Sequence, residues 1–213
     1  MQFLGSCGPL TFLIAQSGCL GVGLELSASA IEVGRRRAAT LNVEKRFSAH
    51  VADLNDPLPH NLGPFHAVLA IDIVLHLQDR KALFRQVAAA LAPGGRFLLT
   101  DAAVVTGAIS NEEIRMRSIH GYTQFVPSGW NEARLESAGF RLLEREKRTP
   151  SVVRNAGGRV RALRNHRDEL QQLTGVASFD RQIEYVATVE ALAARGALSR
   201  FMYLVEVRRQ NAD

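Results

Sequence analysis

The 213-residue chain carries 26 lysines and arginines against 21 aspartates and glutamates, giving a formal net charge of +5. Its hydrophobic fraction of 46% and charged fraction of 22% are those of an ordinary globular protein and exclude a disordered chain. No apolar run approaches the length needed to span a bilayer, so no membrane partner is expected. We expect one buried domain that covers residues 1–213.

The excess positive charge is concentrated between Arg141 and Arg167. Aromatic residues do not alternate with these arginines, and no nucleic-acid-reading module is visible. We therefore expect no nucleic-acid partner and interpret the run as the solvated face of helices.

The two cysteines, Cys7 and Cys19, have neither metal-ligand spacing nor the pattern of a disulfide framework. The first 24 residues lack charged side chains, but they also lack the basic leader and continuous apolar core of a signal peptide. These features favour a reducing, cytoplasmic location.

The amino-terminal stretch from Gly5 to Glu25 predicts a glycine-bearing turn, a helix from about Leu10 to Gln16 and a strand over Cys19–Leu24. A short strand within Met1–Leu4 would precede the turn. Such a unit holds the adenosine end of a cofactor, because glycines let the backbone approach the ligand and a carboxylate accepts hydrogen bonds from the ribose. The alternative is an ordinary strand and helix with glycines merely in a turn.

The next elements alternate between helices and strands. Ser27 and Ser29 are rival N-caps of a helix that runs to about Leu41. Apolar patterning predicts strands over 46–52, 65–71 and 96–100, with a helix over 79–91 that Pro93-Gly94-Gly95 stops. This alternation predicts a parallel sheet with right-handed crossovers. Four carboxylates would then lie at one edge of the sheet, where open α/β sheets bind ligands: Glu25, Asp53, Asp72 and Asp101.

The second half of the chain is more helical. A loop over 104–111 leads to a short helix at Asn111, and residues 120–128 are aromatic and irregular. A helix that opens at Ser128 stops at Gly139, and residues 140–147 read as a strand. Two helices over 152–173 and 179–195 precede a last strand over 201–207. We interpret residues 149–199 as a helical insertion, or lid, within the domain.

Five motifs in this order resemble those of the class I S-adenosylmethionine-dependent methyltransferases, in particular bacterial enzymes that act on small molecules. They are Gly21-Val22-Gly23-Leu24-Glu25, Ala52-Asp53-Leu54, the run from Phe65 to Asp72, Leu91-Ala92-Pro93-Gly94-Gly95 and Glu136-Ser137-Ala138-Gly139-Phe140. The resemblance implies a Rossmann-like, doubly wound, mostly parallel sheet of seven strands. Its last strand would be antiparallel, with the helical insertion between the sixth and seventh strands and a short amino terminus.

The resemblance also implies S-adenosylmethionine as cofactor. Carried onto matching positions, it makes Gly5, Ser6 and Gly8 the turn on the methionine side and Glu25 with Leu26 the ribose contacts. Asp53 and Leu54 would contact adenine, and Asp72 would line the mouth of the site.

Methyl transfer requires a nucleophile aligned behind an electrophilic methyl group, and a general base only where the acceptor arrives protonated. His76, just past the fourth strand, is the first candidate base, and His120 is the second. Alternatively, His76 helps to cap the next helix beside Asp79. Tyr122 is better explained by packing within its loop, and His166 by a position on a solvated helix face. No metal site is expected.

The acceptor would be a small molecule, and an anionic one if arginines of the insertion turn inward. A monomer or a homodimer is expected. The competing interpretations are a methyltransferase-like binding module without turnover, and a nicotinamide-dependent oxidoreductase. The latter would need a G-x-G-x-x-G motif that the sequence lacks.

Overall fold

The computed structural model describes residues 2–4, 7–59 and 62–208. The strands are β1 (Gln2–Leu4), β2 (Gly21–Glu25), β3 (Phe47–Val51), β4 (Phe65–Ile71), β5 (Leu91–Val105), β6 (Val126–Pro127), β7 (Phe140–Lys147) and β8 (Leu198–Val207). The helices are α1 (Cys7–Ser17), α2 (Ala28–Thr40), α3 (Arg80–Ala90), α4 (Asn111–Arg117), α5 (Trp130–Ser137), α6 (Thr149–Asn165), α7 (Arg167–Thr174) and α8 (Val176–Ala194).

The chain divides into two compact units. The first comprises Met1–Thr100, Gly129–Arg145 and Tyr203–Asp213, and the second comprises Asp101–Ser128 and Glu146–Met202. Among the described residues, no helix combines the length and apolar character that crossing a membrane demands.

The strands form an α/β, Rossmann-like mixed sheet in the order β3-β2-β1-β4-β5-β8-β7. The four pairs β1–β2, β1–β4, β2–β3 and β4–β5 are parallel. β8 is antiparallel to β7, because the amide of Arg208 donates to Gly139 O at one end and that of Arg148 donates to Arg200 O at the other. The parallel register pairs Glu25 with Val51, so β2 and β3 end together, and it pairs Ile71, the last residue of β4, with Thr100 of β5.

Some of the predicted boundaries are correct, but the strand predicted over 96–100 is longer at both ends, since β5 runs from Leu91 to Val105. β4 and β7 have the predicted limits, and α3 follows its N-cap Asp79. The sheet has eight strands rather than seven, because the two-residue β6 pairs with the end of β5. The predicted helix over 152–173 is two helices, α6 and α7, which meet at His166.

The expectation that Asp101 closes a strand is wrong. β5 continues to Val105, and Asp101 is fully buried within it, where Oδ1 accepts a hydrogen bond from the Ala103 amide at 2.9 Å. Asp101 therefore does not follow the end of its strand as Asp53 and Asp72 follow theirs.

Helix α1 packs closely on β2 because Gly21 has no side chain. A Cβ atom at Gly21 would lie 2.4 Å from Ile14 Cδ1 and 3.0 Å from Leu10 Cδ1. Leu10 and Ile14 are fully buried and form a core cluster with Ala38 and Val43. The glycine thus fixes the approach of the first helix to the sheet.

In the second unit, α6 packs along α8 through Ala156, Val160 and Val186. The remaining face of α6 carries Arg154, Arg159, Arg161 and Arg164, all exposed. The basic run is therefore a solvated helix face here, as the sequence indicates.

Helix α4 is fastened to the end of α8 by an ion pair. Arg195 donates to both oxygens of Glu113 at 2.7 and 2.9 Å, and Glu113 also accepts from the amide of Ser110 in a capping box. The Arg195 hydrogen bond, followed by that of the Ser110 amide, lowers the pKa of Glu113 from 4.5 to about 2.

This ion pair predicts an acid-sensitive contribution to stability. Because the pKa of Glu113 is lower in the folded chain, its contribution is fully present above pH 4.5 and is lost as the pH falls towards about 2. Thermal melts of wild type and Glu113→Gln should differ most above pH 4.5, and the gap should close at lower pH. Glu112→Gln, an exposed neighbour, serves as the control. A gap that is independent of pH would contradict the assignment.

Candidate cofactor site

The first unit contains a small cavity at the edge where β2 and β3 end. Its volume is about 110 Å³. Five of its lining residues were expected at the site: Glu25, Leu26, Asp53, Leu54 and His76. The other five are Leu24, Ala52, Asn55, Ile73 and Leu77. The cavity therefore combines two carboxylates with mainly aliphatic walls.

Glu25 is held at the end of β2 by the start of α2. The amide of Ser27 donates to Glu25 Oε1 at 3.1 Å, while the Ser27 hydroxyl accepts from the Ala30 amide as the N-cap of α2. Glu25 O accepts from the Ala52 amide at 3.0 Å, which ties the ends of β2 and β3 together. Within the described chain, Glu25 Oε2 accepts no hydrogen bond, so it is available to a ligand hydroxyl.

Asp53 is fixed by Asn55, a residue that the sequence analysis missed. The backbone and side-chain nitrogens of Asn55 both donate to Asp53 Oδ1 at 2.9 Å. Asn55 Oδ1 in turn accepts from the amide of Gln78 at 2.9 Å. The carboxamide therefore joins the loop after β3 to the segment after β4. The second oxygen of Asp53 accepts no hydrogen bond from any residue that the structure describes.

Asp72 lies directly after β4 in a left-handed backbone conformation, with φ of 51°. Its amide donates to Thr100 O at 3.2 Å and to Thr100 Oγ1 at 2.9 Å, and Thr100 Oγ1 donates back to Asp72 Oδ1 at 2.8 Å. A non-glycine residue adopts this conformation at a cost that its surroundings must offset. Thr100 supplies those contacts, and Asp72 is not among the residues that line the cavity.

His76 ends a single 3-10 turn, Val74–His76, and lines the same cavity as Glu25 and Asp53. Its amide donates to Ile73 O at 3.0 Å, and its side chain is exposed. The cap of α3 is formed by the carboxylate of Asp79, which accepts from the Ala82 amide at 3.0 Å. Asp79, the residue beside which His76 was expected to help, is thus the N-cap of α3.

The other candidate residues lie elsewhere. His120 is in the second unit, where its exposed ring meets the ring of Tyr185 edge-on at 4.6 Å. Tyr122 is half exposed, and His166 Nδ1 lies 3.5 Å from Glu169 Oε2 on the surface. The structure does not bring His120 into the cavity that His76 lines.

The predicted glycine turn is only partly visible. Gly5 and Ser6 lie outside the described residues. Gly8 is in the first turn of α1 rather than in a turn before it, because the helix begins at Cys7 instead of Leu10. Pro9 is compatible with this start, since a proline in the first helical turn sacrifices no intrahelical hydrogen bond.

Within the described ranges, no group of three histidine, cysteine, aspartate or glutamate residues is arranged to hold a metal ion. The carboxylates of the cavity are instead fixed by backbone and amide donors.

The geometry agrees with comparisons to known proteins. Residues 5–95 match the family model for a methyltransferase domain. Methyltransferase GfsG of Streptomyces halstedii is 30% identical over 147 residues, which cover 65% of this chain and 51% of the relative. Over these residues the chain is similar to the methyltransferase domain family, and the matches support a class I S-adenosylmethionine-dependent methyltransferase. The ubiquinone biosynthesis O-methyltransferase of Xanthomonas axonopodis pv. citri (strain 306) is 25% identical, covering 63% of this chain and 59% of the relative.

Solved structures share the fold. The cyclopropane synthase MmaA2 of Mycobacterium tuberculosis superimposes with a TM-score of 0.86 at 19% identity, over 97% of this chain and 78% of that one. A putative sarcosine dimethylglycine methyltransferase of Galdieria sulphuraria superimposes with a TM-score of 0.84 at 14% identity, over 98% of this chain and 78% of that one. The chain spans about half the length of its curated relative GfsG.

Proposed function

We propose that this chain transfers the methyl group of S-adenosylmethionine to a small-molecule acceptor. The proposal depends on the cavity that Glu25 and Asp53 line. In each carboxylate, one oxygen accepts hydrogen bonds from the protein and the other can accept them from a ligand. The match of residues 5–95 to a methyltransferase domain and the names of the two relatives described above, both methyltransferases, support the same activity.

The residues of the cavity fit an adenosyl group. Glu25 would accept hydrogen bonds from the ribose hydroxyls. An ionised carboxylate only accepts hydrogen bonds, and a carboxylate at the end of this strand is where such folds bind the ribose. Asp53 and Leu54 would contact the adenine ring, and aliphatic side chains such as Ile73 and Leu77 would cover its faces. Gly5, Ser6, Gly8, Leu26 and Asp72 remain proposed contacts of the same cofactor.

The bound cofactor would supply a methyl group made electrophilic by its sulfonium. The chain's own tasks are to hold the acceptor in line, to exclude water and, for a protonated acceptor, to remove a proton. We assign proton removal to His76, whose imidazole lies at the cavity wall and is exposed. His120 stays the second candidate.

The acceptor is proposed to be a small anionic molecule, as in the phosphoethanolamine N-methyltransferase 1 of Triticum aestivum, a relative that is 29% identical over 62% of this chain. The chain would act in the cytoplasm as a monomer or homodimer, without nucleic acid. Residues 149–199, which hold α6, α7 and α8, would serve as the lid, inserted between the two antiparallel strands that complete the predicted seven-stranded sheet.

Two measurements on the purified wild-type chain test the proposal. Calorimetric titration with S-adenosylhomocysteine should give saturable binding with a micromolar Kd. A radiolabelled methyl group should then pass from S-adenosylmethionine to members of a panel of small phenols, amines and acids. Absence of both binding heat and thermal shift would overturn the assignment, whereas binding without transfer to any acceptor would favour a binding module.

A further inference from the structure

Arg117 is a buried arginine without a carboxylate partner in the part of the chain that the structure describes. It ends α4, is 7% exposed, and its Nη1 donates to Tyr185 Oη at 2.7 Å. The nearby Glu113 is taken by Arg195. By contrast, the ion-paired Arg167 and Arg195 have side chains that are 57% and 48% exposed.

A buried guanidinium needs an anion more than a surface one does. Removing a cation from water costs several kcal/mol, which a neutral phenol and the carbonyl end of a seven-residue helix offset only in part. The guanidinium also has five N–H donors, and one is used by Tyr185. Arg117 therefore retains both charge and donors for an anionic ligand.

Tyr185 adds a second donor beside this guanidinium. Its oxygen accepts from Arg117, so its own proton must go to another acceptor, and no described residue provides one. The ring is held in place by packing on Ala156, Val160 and Val186, and the Arg117 guanidinium carbon lies 5.5 Å from its centroid. The phenol is thus packed against α6 and contacts the guanidinium.

His120 completes the cluster from the segment that follows α4. Its ring stands nearly perpendicular to that of Tyr185, at 80°, and is exposed. Thr123 supports this segment by donating its hydroxyl hydrogen to Arg117 O at 3.4 Å. Arg117 and His120, three residues apart in sequence, thereby both meet the phenol ring of Tyr185, which lies 68 residues after Arg117.

We propose that Arg117, Tyr185 and His120 form an anion-binding site for the carboxylate or phosphate group of a small molecule. Arg117 offers the planar fork that matches either group, Tyr185 donates its hydroxyl, and His120 flanks them. The site lies outside the basic run from Arg141 to Arg167.

Titration with inorganic phosphate tests the site without knowledge of the acceptor. Amide resonances of residues 117–120 and 184–186 are followed by NMR in the full chain at constant ionic strength, with chloride as the reference anion. We expect saturable, millimolar phosphate binding in wild type, weakened about tenfold or more in Arg117→Met and less in Arg117→Lys and Tyr185→Phe. The exposed Arg154→Met is the matched control and should bind as wild type does.

Two results would overturn the proposal: no saturable shift in wild type, or equal phosphate affinity in wild type, Arg117→Met and Tyr185→Phe. A purely structural role of Arg117 would move the melting temperature of its variants but produce no phosphate-specific shift in wild type. Calorimetry of the same samples with S-adenosylhomocysteine separates this proposal from the proposed function. Loss of cofactor binding with intact phosphate binding would overturn only the function.

Discussion

Glu25→Gln should weaken S-adenosylhomocysteine binding about 10- to 100-fold, because a hydrogen bond to a charged acceptor contributes roughly 1.5–3 kcal/mol. Glutamine retains the shape of the side chain and an oxygen for the Ser27 amide, which now donates to Glu25 Oε1 at 3.1 Å. It replaces the second carboxylate oxygen by a donor, which cannot accept from a ribose hydroxyl. Calorimetric titration of the purified variant measures the loss directly.

Asp53→Asn is measured in the same titration. We expect it to weaken S-adenosylhomocysteine binding about tenfold, since one oxygen of Asp53 already accepts hydrogen bonds from Asn55. Glu32→Gln is the matched control, because Glu32 lies exposed on α2, outside the cavity, and pairs with Arg35 at the surface. Wild-type affinity in both Glu25→Gln and Asp53→Asn would show that the cavity is not the cofactor site.

The position of these two carboxylates follows from the sequence by a simple rule. Each comes at or just after the end of a predicted strand, and parallel strands bring their carboxyl ends to one edge. The register of β2 and β3 agrees, since Glu25 is paired with Val51. The rule failed at Asp101, because β5 continues past it to Val105, where it pairs with β6, a contact that no local pattern reveals.

The residues that fix the site are harder to predict. Asn55 reaches Gln78, 23 residues away, and Thr100 reaches Asp72, 28 residues away. An asparagine two residues after an aspartate signals a turn, but the second partner depends on the packing of another loop. Likewise, Arg117 and Tyr185 are 68 residues apart, and periodicity alone shows only that each lies on a helix.

The division between α6 and α7 at His166 illustrates the same limit. No glycine or proline marks the break in the predicted helix, so the sequence pattern runs through it. The next boundary is clearer, because Gly175 has φ of 82° and separates α7 from α8. The sequence therefore predicts a helix boundary where the backbone requires a glycine. A boundary that depends on long-range packing is not visible in the sequence pattern.

His76→Gln should lower kcat by about 10²- to 10⁴-fold for an acceptor whose nucleophile arrives protonated, which is the usual contribution of a general base. The acceptor is the best member of the panel used with wild type, and the rate is measured by radiolabel transfer at saturating cofactor. A side chain that only formed the cavity wall beside Glu25 and Asp53 would instead raise the Kd of S-adenosylhomocysteine and spare kcat.

The choice of acceptor supplies the second readout. With His76 as the base, the loss of kcat in His76→Gln should be large for a phenol or an ammonium and absent for an acceptor that arrives unprotonated. His66→Gln is the matched control, since His66 is exposed on β4 and does not line the cavity. Equal kcat in wild type and His76→Gln would remove His76 from the chemistry and direct the search for a base to His120. An acceptor that arrives unprotonated needs no base, so the comparison is made with a phenol or an ammonium.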